Sequence, residues 1–418
     1  MSYFSRSSVN LSAAALGRVA ATLILAALPA LAWAQAGHLD NSFGSNGIFA
    51  STFNNSSPVF ATSVALQADG KIIVGGEAGN PGIILRLNSN GTVDNTFGTA
   101  GLVSIRFRDV DNFTVAVAVQ TDGKILAVGT GLPGGGQLVR LNPNGSLDTS
   151  FGSNGSVFLT STPSVLALQP DGKILTSGAA SDGATRLLIR YNSNGQIDTT
   201  FGNGGMAPVF SAIASIALQA DGKILVGSGS TLGLTGAPGS LSRYNTDGSA
   251  DIFFGGQGEA ADLVGPAAVG VLSNGQIITA GTVTSALSVS GNSTGFGLTG
   301  SFPSAFPNLL FGTRGLAVTS FPNLPMTGAS SLAIQTNNFI VAAGSAGTSA
   351  RSSEFALARY APTGQLDSTF GTGGLVTTSF GSGTTASIAA IALQSDGKIV
   401  VVGQASNGGL VAARYLGH

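Results

Sequence analysis

Apolar residues along this chain come in short runs, cut again and again by polar turns of nearly the same wording. VALQADGKIIVGG from Val64, VAVQTDGKILAVG from Val117, LALQPDGKILTSG from Leu166, IALQADGKILVGS from Ile216 and IALQSDGKIVVVG from Ile391 each set two apolar runs on either side of Asp-Gly. Short runs rich in β-branched residues and bounded by turn residues read as strands. Asp-Gly between them reads as a two-residue type I′ turn, whose positive φ angles match the strand twist. Asn274-Gly275 and Asn337-Asn338 hold the same place in two further units and can adopt the same left-handed conformations.

A third run follows and ends in Arg before Tyr or Leu, as in IILRL, QLVRL, LLIRY, SLSRY and ALARY. An Asn-rich turn comes next, and then a Leu-Asp…Phe-Gly phrase that reads as the fourth strand. Examples are LNSNGTVDNTFGTAG from Leu87, LNPNGSLDTSFGSNG from Leu141, RYNSNGQIDTTFGNGG from Arg190, YNTDGSADIFFGGQG from Tyr244 and YAPTGQLDSTFGTGG from Tyr360. Phe-Gly recurs at Phe43, Phe97, Phe151, Phe201, Phe254, Phe311 and Phe370, in steps of 54, 54, 50, 53, 57 and 59 residues. The expected fold is all-β, a seven-bladed β-propeller of four-stranded antiparallel blades, because radial repetition leaves only short, protected sheet edges. The coils of a β-helix, the rival architecture, are much shorter. The fifth blade, about 266–312, is degenerate. After a leader segment the chain opens on HLDNSFG and closes on GLVAARYLGH, two fragments that complete each other. An N-terminal outer strand near Leu39 to Phe43 is therefore expected to pair with the C-terminal strand near Leu410 to Tyr415, since an open ring would expose two aggregation-prone edges.

The phrases LDTSFG, ALQPDGK and RYNSNG resemble the delta-60 repeat family, β-propeller repeats of exported bacterial proteins. The resemblance covers nearly all of residues 35–418 apart from the fifth unit. It implies the propeller fold and brings no catalytic motif.

Comparing the units with one another isolates a recurring pair. Arg86 and Asp94, Arg140 and Asp148, Arg190 and Asp198, Arg243 and Asp251, and Arg359 and Asp367 are each eight residues apart, and Arg414 and Asp40 take the same roles from opposite ends of the chain. In the fifth unit Gly300 and Asn308 stand there instead, so cation and anion vanish together. Joint loss is what an ion pair predicts, because stranding one half-buried charge costs about 3–5 kcal/mol. These are expected to be structural pairs tying the third strand to the outer one.

Charge and composition narrow the function. Hydrophobic residues make up 43% of the 418, charged residues only 9%, and there are 62 glycines, which suits tightly turned sheet and excludes disorder. Arg6, Arg18 and the apolar run Val19 to Ala34, ending in small residues, read as a cleaved signal peptide over residues 1–34. Losing it takes the net charge from −1 to −3, since no acid precedes Asp40, and that balance excludes nucleic acid, which needs a basic stripe. No later segment is apolar enough to span a membrane. With no cysteine there is neither disulfide nor lipidated thiol. The protein is expected to be exported, periplasmic or secreted, and monomeric.

Chemistry is scarce. The two histidines, His38 and His418, lie at the extremes of residues 35–418, leaving little material for a His-dependent hydrolase or metal site. The Asn-rich turns lack the carboxylates of a calcium loop and fit Asx-turn chemistry, so no metal or other cofactor is expected. Gln67, Gln120, Gln169, Gln219, Gln335 and Gln394 recur at the end of the innermost strand, where they either ring a channel mouth or satisfy backbone groups beside their turns. Within a meander the first-to-second and third-to-fourth turns share one face. The opposite face carries segments that vary from unit to unit, and function favours such loops. There Arg106, Arg108, Asp109 and Asp111 form the densest charge cluster, a candidate recognition patch. Two readings result: a non-catalytic module binding a protein, glycan or cell-surface component through that face, or a carboxylate-dependent enzyme acting on a polysaccharide at the central channel.

Overall fold

The computed structural model describes residues 35–51, 59–79, 81–107, 110–132, 135–159, 161–180, 185–209, 211–229, 239–262, 264–265, 267–283, 294–349, 352–406 and 409–418. Within them 28 strands form seven antiparallel sheets of four. Six blades are consecutive meanders, spanning residues 59–105, 110–159, 166–209, 213–262, 268–319 and 326–378. The seventh joins Ala386–Leu393, Ile399–Ala405 and Gly409–Tyr415 to an outer strand from the other end of the chain, Ile48–Ser51. Successive innermost strands touch in cyclic order, the last meeting the first, so the ring is closed.

The core is a ring of wedges rather than one centre. Second and third strands alternate buried side chains to both faces, and the buried apolar residues fall into seven clusters, one at each blade–blade seam. The seam between blades 4 and 5 is the leanest, with Leu225, Leu241, Phe254, Ile277 and Ala305 as its buried apolar members. Innermost strands carry bulges that aim a group at the neighbouring blade. In blade 1 the register slips between Ala61 and Ser63, and the hydroxyl of the extra residue, Thr62, donates to the Thr114 carbonyl of blade 2 at 2.6 Å. Ser330 does the same to Ile388 at 2.6 Å.

Three local expectations are corrected. The Asp-Gly hairpins are not type I′. Only Gly70, at φ +82°, is left-handed, its amide donates to the Gln67 carbonyl at 2.9 Å, and Asp69 instead caps the Lys71 amide at 3.1 Å. That is the longer hairpin loop closed by a left-handed residue, favoured because the aspartate side chain holds the turn. Asn338 takes the glycine's place in blade 6 at φ +66°. Secondly, the Leu-Asp…Phe-Gly phrase is a run of turns, and the outer strand follows it, as Leu102–Ile105 follows Phe97-Gly98. The Asp94 carboxylate takes the Thr96 amide at 3.0 Å and the Asp94 carbonyl takes the Phe97 amide at 3.1 Å, which curls the backbone away from a ladder. Blade 5 accordingly runs on to Thr319. Thirdly, the closing ladder pairs Ile48–Ser51 with Leu410–Ala413, while of the Leu39 to Phe43 segment only Leu39 bridges, to Tyr415.

The closure reconstructs a whole turn from two chain ends. The Leu416 amide donates to His38 at 2.9 Å, Gly37 to Leu416 at 2.7 Å and Asp40 to Arg414 at 2.8 Å. The Gly371 amide of blade 6 then meets the Ala36 carbonyl at 2.8 Å, just as Gly152 meets Asn194 at 2.8 Å where the turn is continuous.

Candidate functional site

On the face of the short turns, each repeated arginine is held in four ways. Arg190 donates through Nε to Asp198 at 2.8 Å and through Nη1 to the Thr246 carbonyl of blade 4 at 2.5 Å, and its guanidinium lies 4.4 Å from the Phe201 ring centre. Its hydrocarbon stem is buried. The same arrangement recurs at Arg86, Arg140, Arg243, Arg359 and Arg414, with ion-pair distances of 2.7 to 2.9 Å. Their acceptors on the next blade are Pro143, Ser193, Pro303, Gly417 and Ser89. One side chain thus joins third strand, Phe-Gly turn and neighbouring blade.

The DGK lysine completes the network, a partner that sequence reasoning missed. Lys71, Lys124, Lys173, Lys223 and Lys398 stand 2.8 to 3.5 Å from the Leu-Asp aspartate of their own blade. The constant DGK spacing after each glutamine was the available signal. In blade 6 Phe339 fills the lysine position, and Arg359 sits 5.2 Å from its ring centre. The glutamines are drawn in as well. Gln67, Gln120, Gln219 and Gln394 each stand within 3.3 to 3.5 Å of an arginine Nη1. Gln67, Gln120 and Gln394 also line a cavity of about 1030 Å³ beside the innermost strand ends Leu66, Val119 and Leu393.

These aspartates stay ionised. Burial would push Asp94 up, but the Thr96 hydroxyl and amide, with Arg86 and Lys71, hold it down at about 2. At Asp148 the Ser150 hydroxyl is the largest influence and the value is again depressed. Blade 5 dispenses with both charges. Phe311 moves into the vacated space, so close that a Cβ on Gly300 would fall 2.4 Å from its ring.

Among the described residues, one carboxylate has the opposite character. Asp262, at the end of blade 4's outer strand, is buried in the lean seam, where Thr279, Thr299 and the Val264 amide donate to it at 2.9, 3.0 and 2.9 Å. Burial pushes it above the usual carboxylate range despite those bonds. The two kinds of acid oppose each other with pH. The Leu-Asp aspartates contribute stability above about pH 4 and lose it as the pH falls toward their depressed folded values. Asp262 contributes fully only below about pH 4, and that contribution is lost as the pH rises through its raised folded value. Asp262→Asn is therefore expected to raise the melting temperature at pH 7 by roughly 2–6 °C, with the gain shrinking away below about pH 4. An unchanged or lower value at pH 7 in thermal melts would show that the three hydrogen bonds outweigh burial.

The opposite face holds the candidate patch. Arg106 stands exposed just past the outer strand Leu102–Ile105, and Phe107 beside it is buried, anchoring the crossing to blade 2. Arg108 and Asp109 lie outside the described residues, and Asp111 is placed only as a position on the strand Val110–Val119. Among the described residues no group of three or more His, Cys, Asp and Glu side chains could hold a metal ion.

Comparisons with known proteins agree with this architecture. Residues 67–97, 120–151, 169–201, 219–251, 335–370 and 394–414 match a family model described as a domain of unknown function (DUF5122) beta-propeller. The matched stretches run from the glutamine toward the Phe-Gly turn and skip blade 5. No curated protein matches the chain. Among solved structures, a catalytically inactive virginiamycin B lyase from Staphylococcus aureus with quinupristin is 10% identical, covering 88% of this chain and 99% of its own, with a TM-score of 0.50. Kuenenia stuttgartiensis hydrazine synthase is 10% identical over 87% of this chain and 97% of its own, with a TM-score of 0.54. Such likeness shows the fold alone. The chain is a repeat β-propeller.

Proposed function

We propose that the protein is an exported, non-catalytic propeller that binds a protein, glycan or cell-surface component through the face opposite its repeated turns. The division of labour between faces carries the reading. On the turn face the recurring Arg, Asp and Lys side chains are engaged in holding blade to blade. On the other face the connections differ in length and wording at every blade, as in residues 105–110, 228–239 and 283–295. A rigid ring presenting variable loops is a frame for recognition. Export rests on the leader over residues 1–34, which lies outside the described residues, and on the resemblance to the delta-60 repeats of exported bacterial proteins.

Screening the protein against glycans and envelope fractions, with a variant whose residues 230–238 and 284–293 are each replaced by Asn-Gly, tests the reading. The variant is expected to keep its melting temperature and lose binding at least ~10-fold, as happens when loop anchors are removed from an intact scaffold. Equal binding by the variant would take the site away from these two connections. Release of sugar fragments from an envelope polysaccharide would replace binding with catalysis.

A further inference from the structure

Six of the ten large apolar side chains exposed among the described residues gather on the turn-face corner of blades 4 and 5: Ile252, Phe253, Phe302, Phe306, Leu309 and Leu310. Phe253 and Leu310 are 86% and 87% exposed. They belong to one surface. The Gly255 amide, two residues past Phe253, donates to the Ser304 carbonyl at 3.0 Å, inside the turn whose flanks, Phe302 and Phe306, are joined by a 2.8 Å backbone bond. Leu309 and Leu310 follow Phe306 after Pro307 and Asn308.

The fold does not require these side chains. Where Phe253 stands, other blades have Thr96, Ser150, Thr200, Thr369 and Ser42, whose hydroxyls close on the neighbouring aspartate at 2.6 or 2.7 Å. Phe253 retains only its amide bond, at 3.2 Å. Phe302 and Phe306 replace pairs such as Asn88 and Thr92, Asn142 and Ser146, and Asn245 and Ser249, which hydrogen-bond at 2.9 or 3.0 Å. The same backbone is built elsewhere in the ring with polar residues, so folding leaves the apolar corner unexplained.

We propose that this corner is a self-association surface that pairs two copies of the chain about a two-fold axis, in place of the monomer the sequence suggests. Taking ~150–250 Å² for an aromatic side chain and somewhat less for Leu or Ile, the six expose on the order of 700 Å². That exceeds the ~300–600 Å² of the largest patch on a typical monomer and approaches the ~800 Å² each partner brings to a standard interface. Charge fits the same occupant. Gln276, Gly300 and Asn308 stand where other blades place Lys, Arg and Asp, so the blade 5 turns have lost those charges. Near a two-fold axis a surface meets its own copy, which a neutral apolar corner tolerates and a charged turn does not. Polar groups border it, with Lys223 paired to Asp251 at 2.8 Å, as the rim of an apolar interface requires.

The test is the solution mass of the full chain by light scattering and sedimentation velocity across a concentration series. The natural chain is expected to run as a dimer, and Phe253→Thr with Phe306→Gln and Leu310→Thr as a monomer, with self-association weakened at least ~100-fold. Each replacement is a residue type found at the same place in another blade, and Phe253→Thr also regains a hydroxyl for Asp251, so the melting temperature of the dissociated triple variant reports intact folding. Met326→Gln, an exposed apolar site away from the corner, is expected to leave the dimer unchanged. A single-chain mass for the natural protein at tens of micromolar overturns the proposal. So does a dimer that survives the triple variant, or a natural monomer that binds uncharged phosphatidylcholine vesicles through the same residues.

Discussion

Deleting residues 35–51 is expected to lower the melting temperature by roughly 10–20 °C and to drive the protein into assemblies larger than those of the natural chain. The segment does four jobs. Ile48–Ser51 gives Leu410–Ala413 its outer neighbour, Phe43 fills a fully buried seat beneath Arg414, Asp40 pairs with Arg414 at 2.9 Å, and Ala36 accepts the Gly371 amide from blade 6. Removing it exposes the full edge of the strand Gly409–Tyr415, strands a buried cation and unhooks blade 6 from blade 7. The loss should therefore be cooperative and global rather than confined to one fraying end. Thermal melts with analytical ultracentrifugation decide it. A truncated chain with the same solution mass and melting temperature as the natural one would disprove the clasp.

Arg190→Ala is expected to cost about 3–5 kcal/mol in denaturant unfolding, because Asp198 is left buried and the Thr246 carbonyl of the next blade loses its donor. In an Asp198→Ala background the same substitution should cost at least ~1 kcal/mol less, since no carboxylate remains to be stranded. Lys173, 3.2 Å from Asp198, partly shields it and sets the lower end of the range. Blade 5 gives an internal control, for it lacks both charges and packs the Phe311 ring against Gly300. Alanine at residue 190 offers the Phe201 ring no such seat. A double-mutant cycle with no coupling would mean that Arg190 and Asp198 touch without depending on each other.

Repetition made the sheet architecture legible from the chain alone, because a four-strand unit written seven times has few ways to bury its faces. The eight-residue spacing of arginine and aspartate, and the split phrase from Asp40 to Arg414, were local or matching patterns of the same kind. Tertiary structure alone decided what reaches between units. That the arginine donates to the next blade follows from blade-to-blade packing, which no spacing within a unit encodes; that the DGK lysine reaches the aspartate and the glutamine turns toward the arginine follows from how the strands and turns of one blade fold onto each other. It also decided the hairpin type, since Asp69 has a side-chain bond to make that a two-residue turn would not permit. Most of all it brought Phe253 and Phe306, 53 residues apart in the chain, to one corner. Along the sequence Phe253 reads as part of a fourth-strand phrase and Phe306 as part of a long connection. Only the closed ring, by placing both on turns that face solvent, turns them into a surface.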